Sequence, residues 1–318
     1  MRLTAPLARF GTPALIGVAL VVLAAGPAVA LAQGTDAGLS LSFLDAVIIG
    51  LVEGITEYLP VSSTGHILVT NELLGLNTNE DAERLLDAYA ICVQAGAILA
   101  VLVVYQERIR QMVDGILGRS AEGRRVVIAV ISSFVPTAIL AVTLFDWVQA
   151  RLFGVGYIAI AWIVGGVGIL SLARSKFFDR PGKDLGALTA QNAVVIGLMQ
   201  TLAIWPGVSR SLITIIAGIV VGLSLRAAVE YSFLLGLVTL TAATAFAGLQ
   251  DGEELVAEFG WQTPLVGLVV AFVSAVIAVR WMVSYLNEKG FEVFGWYRLA
   301  IGIAALVLIG VGTLPFSS

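Results

Sequence analysis

Six apolar runs, at roughly 88–105, 126–145, 155–173, 230–249, 264–285 and 297–314, approach the ~20 residues a helix needs to cross a hydrocarbon core. They predict six transmembrane helices. Two further apolar regions, about 41–72 and 188–222, are broken near their middles by proline and small polar residues, in YLPVSSTGH and WPGVSRS. Pro60 lacks an N–H and disfavours helix at Leu59, so the first limb should stop there; Val61–Gly65 then supply hydroxyls and N-cap chemistry for a second limb. Non-helical backbone at membrane depth is tolerated only where protein or a water-filled cavity satisfies it. Each break therefore implies a cavity.

Lys and Arg sort the connections, because short cytoplasmic loops carry the excess of both. Arg108, Arg110, Arg119, Arg124 and Arg125 fall in one loop, Arg174, Lys176, Arg180 and Lys183 in a second, Arg226 in a third, and Arg280, Lys289 and Arg298 at a fourth. The alternate connections carry only Arg84 and Arg151, and 250–263 has acids with no Lys or Arg. For the sides to alternate, region 41–72 must start and end outside and region 188–222 inside, so each dips in, breaks and returns. AVIIGL at 46–51 matches AVVIGL at 193–198, 147 positions on; beyond it Pro60 and Ser63 fall opposite Pro206 and Ser209 if one residue is skipped. The predicted fold is an all-α polytopic membrane protein: six transmembrane helices plus two re-entrant helix pairs arranged as inverted repeats, about 41–173 and 188–314. Residues 33–318 form one membrane-embedded domain. In residues 1–32, Arg2 and Arg9 precede an apolar stretch and the small-residue run AVALAQ, which reads either as a cleaved signal peptide or as an extra N-terminal helix.

Composition closes off the soluble classes: 58% of residues are hydrophobic and 13% charged, against about 25% charged in soluble domains. Cys92 is the only cysteine, which excludes an intramolecular disulfide and a cysteine-built metal cage.

Against that background the two breaks concentrate the chemistry. Glu53 and Glu57, spaced i, i+4, share a helix face. An ionised side chain at the bilayer centre costs about 2.5–3.5 kcal/mol on insertion scales, so the pair implies a shared proton or a bound cation, or else a solvated interfacial position. His66, the single histidine, is either structural or a partner in that chemistry. In the second break Arg210 carries a permanent charge that forks onto phosphate oxygens; Ser209, Ser211 and the start of a helix add donors. The bland alternative is an Arg–Glu pair that joins the repeats without a ligand. Acids and an imidazole from one break, facing a phosphate cradle from the other, suit a substrate that is half lipid and half phosphate.

At these residues the chain resembles the undecaprenyl-diphosphate phosphatase family, also called the bacitracin-resistance proteins. The family's E-x-x-x-E motif with its PVSSTGH loop is matched by Glu53 to His66, and its PGxSRSxxT motif by Pro206 to Thr214; the resemblance runs over roughly 41–314. It implies an enzyme of the bacterial inner membrane, its site facing outside, that removes the terminal phosphate of undecaprenyl diphosphate. That reaction recycles the lipid carrier for peptidoglycan synthesis and confers bacitracin resistance. Carried onto this sequence, the catalytic set is Glu53, Glu57, Ser63, His66 and Arg210, and the phosphate-binding set Ser62, Thr64, Gly207, Ser209, Arg210, Ser211 and Thr214. Glu53 and Glu57 would hold a divalent cation, Mg or Ca. The implied partners are a polyprenyl diphosphate lipid and the lipid bilayer, with a homodimer as candidate assembly and no nucleic acid. Ser63, activated by Glu57 or His66, is the favoured nucleophile; His66 itself and a metal-activated water compete with it. Leu212 and Ile213 replace the family's smaller Gly-Ala, which narrows the expected cradle. Lipid phosphatases of the acid-phosphatase type need two histidines and are excluded. The alternative function is a polyprenyl-phosphate flippase using the same site.

Overall fold

The computed structural model describes residues 41–77 and 79–317; the expected signal peptide or extra helix at 1–32 lies outside the described residues. Among these, eleven α-helices follow one another: α1 (Phe43–Thr56), α2 (Ser63–Leu73), α3 (Glu80–Val104), α4 (Gln106–Ile116), α5 (Ala121–Leu152), α6 (Val155–Arg174), α7 (Ala190–Gln200), α8 (Arg210–Val220), α9 (Leu225–Phe259), α10 (Gln262–Glu288) and α11 (Glu292–Gly310). Polar residues mark their starts. Ser42 forms a capping box with Asp45 at α1, and Asn79, Ser120, Thr189 and Ser224 cap α3, α5, α7 and α9 through their side chains.

Six helices, α3, α5, α6, α9, α10 and α11, are long and apolar enough to cross a membrane, as the apolar runs predict. The helices flanking the breaks are not. α1 has 14 residues and α2, α7 and α8 have 11 each, so at about 1.5 Å per residue each falls short of a ~30 Å core.

Charge sorting misplaces two features. The acid-rich stretch after residue 249 is not a loop: α9 continues to Phe259, and Arg84 of α3 binds its Asp251 and Glu254, each at 2.6 Å. Arg298 is not a loop charge either. It lies inside α11 and is 0% exposed, where backbone carbonyls take the place of water around both of its Nη groups. On the other face, Arg108 of α4 bonds Glu230 of α9 at 2.5 Å and Glu122 of α5 at 2.9 Å.

Small residues let the short helices approach long ones from the other half of the chain. α1 packs on α10, and α7 on α5. Gly50 faces Gly267, and Gly197 faces the Ser133 backbone so closely that a Cβ at either position would collide. These are the matching glycines of AVIIGL and AVVIGL, used for the same purpose in both places. Close backbone approach through small residues is how helices associate where lipid removes the hydrophobic drive. The consequence is that the two breaks, at the ends of α1 and α7, meet in the interior.

Candidate active site

The first break is the turn between α1 and α2, and the second joins α7 to α8. Each ends on a serine with left-handed backbone: Ser62 at φ 72° and Ser209 at φ 77°. Non-glycine residues rarely adopt such φ, and packing must hold them there. The two serines are 147 positions apart, the spacing of the AVIIGL repeat, so the breaks correspond without a skipped residue. The skip that set Ser63 opposite Ser209 is thereby corrected: Ser62 matches Ser209, Ser63 matches Arg210, and Glu53 matches Gln200. Both Glu53 and Gln200 are buried. Only the first break is acidic.

Three contacts join the turns. Gly207 N–H donates to Ser62 Oγ at 3.0 Å, Ser211 Oγ to Leu59 O at 2.9 Å, and Arg210 Nη2 to Glu57 Oε1 at 2.7 Å. Ser62 therefore does not cap its own helix as expected; its oxygen is spent across the interface. Ser209 does cap α8, accepting from Leu212 N–H at 3.3 Å.

Glu57 is the centre of the constellation. Its Oε2 accepts the Ser63 hydroxyl and has Gln94 Nε2 at 3.5 Å, while Oε1 holds Arg210. The Arg–Glu pair of the bland alternative thus exists, and it includes a serine hydroxyl. Arg210 also donates to Ser232 O at 3.0 Å and lies 5.6 Å from the Tyr58 ring, yet its Nε has no partner. Thr214 Oγ1 reaches Arg210 O at 2.9 Å and Ser232 Oγ at 2.7 Å, and Ser209 and Ser211 hydroxyls are 3.1 Å apart. Leu212 is buried in the main apolar core.

His66 is turned away from Ser63. Its Nδ1 is 2.6 Å from Ser62 O and its Nε2 2.9 Å from Tyr297 OH, between Trp162 and Tyr297 rings. A carbonyl only accepts, so Nδ1 carries the proton and Nε2 accepts from the tyrosine. Both nitrogens are occupied in holding the turn.

Glu53 is buried four residues before Glu57, and its Oε1 has no hydrogen-bond partner. It borders a cavity of about 1980 Å³, which Thr64 and Gln94 also line. The cavity walls include Phe134, Ala138 and Val142 from α5 and Leu240, Ala243 and Phe246 from α9.

The sequence reading missed Gln94, Trp162, Ser232, Tyr297 and Arg298. The signal for Arg298 was present: an arginine inside the apolar run that begins at 297.

The family model described as bacitracin resistance protein BacA matches residues 46–304. Among curated relatives, the undecaprenyl-diphosphatase of Sorangium cellulosum is 41% identical over 270 residues, 84% of this chain and 85% of its own length. Undecaprenyl-diphosphatase 2 of Rhodospirillum rubrum is 38% identical over 275 residues, 86% of this chain and 98% of that one. The undecaprenyl-diphosphatase of Methylococcus capsulatus is 40% identical over 282 residues, again 86% and 98%.

Proposed function

The chain belongs to the bacitracin resistance protein BacA family, and from that premise we propose that it hydrolyses undecaprenyl diphosphate to undecaprenyl phosphate and inorganic phosphate. The observation that carries this reading is Glu57 held between the Ser63 hydroxyl and Arg210, where two helix breaks meet beside a cavity with apolar walls. We place the protein in the bacterial inner membrane with the site facing outside. We also read α1–α2 and α7–α8 as re-entrant pairs of two inverted repeats. The shared spacing of Ser62 and Ser209 and the crossed packing of α1 on α10 and α7 on α5 support that.

In the mechanism, Arg210 and the N-terminus of α8 hold the phosphates, stabilising charge in the transition state. Ser63 Oγ attacks the terminal phosphorus as its proton passes to Glu57, and the bond to the bridging oxygen breaks, releasing the lipid monophosphate. Water then attacks the phosphoserine; Ser63 Oγ takes its proton back from Glu57, and inorganic phosphate leaves. His66, with both nitrogens engaged, shapes the turn and does not move the proton.

The free Glu53 Oε1 beside the cavity fits an oxygen-seeking divalent cation, Mg or Ca, shared with Glu57. Among the described residues no group of three His, Cys, Asp or Glu side chains offers a complete protein cage, so Glu53 and Glu57 would hold the ion only in part. Such an ion supplies charge neutralisation on the phosphates.

A flippase using the same site is not favoured: the relatives bear hydrolase names. The test is phosphate release from undecaprenyl diphosphate by detergent-purified protein, with and without EDTA, beside Glu57→Gln and Arg210→Ala. EDTA-sensitive release that both substitutions abolish is expected. No release from well-folded wild type sinks the hydrolase reading.

A further inference from the structure

The turn that presents Ser63 is caged by side-chain donors. Four successive carbonyls each receive one: Leu59 O from Ser211 Oγ at 2.9 Å, Pro60 O from Arg298 Nη1 at 3.2 Å, Val61 O from Trp162 Nε1 at 3.0 Å, and Ser62 O from His66 Nδ1 at 2.6 Å. Arg298 alone among these also grips the carbonyls of the second turn, through Nη2 to Gly207 O at 2.6 Å and Nη1 to Val208 O at 3.4 Å. A further bond from Nη2 to Ala161 O at 3.0 Å ties the group to α6. It is fully buried, and its hydrogen-bond partners are carbonyl oxygens with no carboxylate among them. A buried cation without a counter-ion is costly unless its donors are saturated in fixed geometry. The planar fork of Arg298 meets most of that requirement: both Nη groups are engaged by carbonyls of the two turns and of α6, and Nε alone has no partner. Tyr297, the preceding residue, fixes the same turn from the other side through His66 Nε2 at 2.9 Å.

We infer that Arg298, seconded by Tyr297, is a positioning residue that sets how far apart the two helix breaks stand, and thereby places Ser63 and Arg210 on Glu57. The inference rests on the reading that the breaks form the active site. Arg298 touches no reacting atom; it acts through backbone.

Arg298→Lys keeps the charge but offers a point donor that cannot fork to both turns. In purified protein it is expected to lower kcat for phosphate release about 100-fold, the cost of roughly 1 Å of misplacement, with KM within about threefold. Tyr297→Phe, which removes one oxygen and keeps the ring, is expected to lower kcat about tenfold with KM unchanged, since it loosens a single supporting hydrogen bond. Hydrogen exchange supplies a readout independent of activity: in Arg298→Lys, peptides covering 57–66 and 205–211 should exchange faster together while α3 and α9 keep wild-type protection. Wild-type kcat in both variants overturns the inference. So does faster exchange spread over the whole chain, which makes Arg298 a folding residue, or confined to one turn. If wild type releases no phosphate, the hydrolase reading fails by itself, and the exchange pattern still decides whether Arg298 couples the turns.

Discussion

Glu57 serves two donors whose demands differ. It neutralises Arg210 at Oε1 and accepts the Ser63 hydroxyl at Oε2, so only an ionised carboxylate of this length satisfies both. Glu57→Gln keeps the shape but removes the proton acceptor, and should cost at least about 10³-fold in kcat. Glu57→Asp keeps the charge and retracts it by one methylene, which should cost about 10²-fold; single-turnover phosphate release distinguishes the two. If Ser63→Ala retained near-wild-type turnover, the serine nucleophile would be abandoned with the hydrolase intact. The residues legible in the sequence were those whose burial in lipid is expensive: Glu53, Glu57 and Arg210, together with the hydroxyls beside Pro60 and Pro206. Gln94 escaped because a neutral amide in an apolar run carries no comparable penalty. Arg298 escaped because an arginine one residue into a span looks like an interfacial anchor. Only the three-dimensional meeting of Pro60, Gly207 and Val208 shows otherwise.

At the scale of helices, proline announces each break, but not how the breaks correspond. Aligning Pro60 with Pro206 forces a skipped residue. The backbone instead matches Ser62 with Ser209, because left-handed φ is what the turns share. A residue other than glycine carries no clear sequence signal for that conformation. The repeat glycines make a second prediction. Gly50→Leu and Gly197→Leu would each drive a side chain into the backbone of a facing helix, and should each destabilise by about 1–3 kcal/mol or more, as overpacking does. Gly168, with no neighbour within 4 Å of a built Cβ, provides the control: Gly168→Ala should be neutral or stabilising by about 0.5–1 kcal/mol. Thermal unfolding in detergent reads both. A Gly197→Leu protein as stable as wild type would mean that α7 does not need its close seat on α5.

For the molecule as a whole, six spans could be read from six apolar runs, since length and hydropathy set that count without tertiary contacts. The overhang of α9 could not, because QDGEELVAEF is as acidic as a loop and becomes helix where Arg84 binds its Asp251 and Glu254. The cavity of about 1980 Å³ exceeds the ~300–1,000 Å³ usual for small-molecule sites, and on the proposed function its apolar part would take a length of prenyl chain. Shortening that chain removes buried methylenes worth about 0.8 kcal/mol each at most. Farnesyl diphosphate should therefore show a KM at least about tenfold above that of undecaprenyl diphosphate; equal values would detach the cavity from the lipid. The crossed seating of α1 on α10 has one more effect, on the protein's birth. More than two hundred residues separate Thr56 from Gln262, so at ~5–20 residues per second the ribosome delivers α10 on the order of tens of seconds after α1. Through that interval a helix too short to cross waits without its seat, and a chain truncated before α10 has no surface on which to finish its first turn. Translation must therefore reach α10 before the first turn can take its seat in the site.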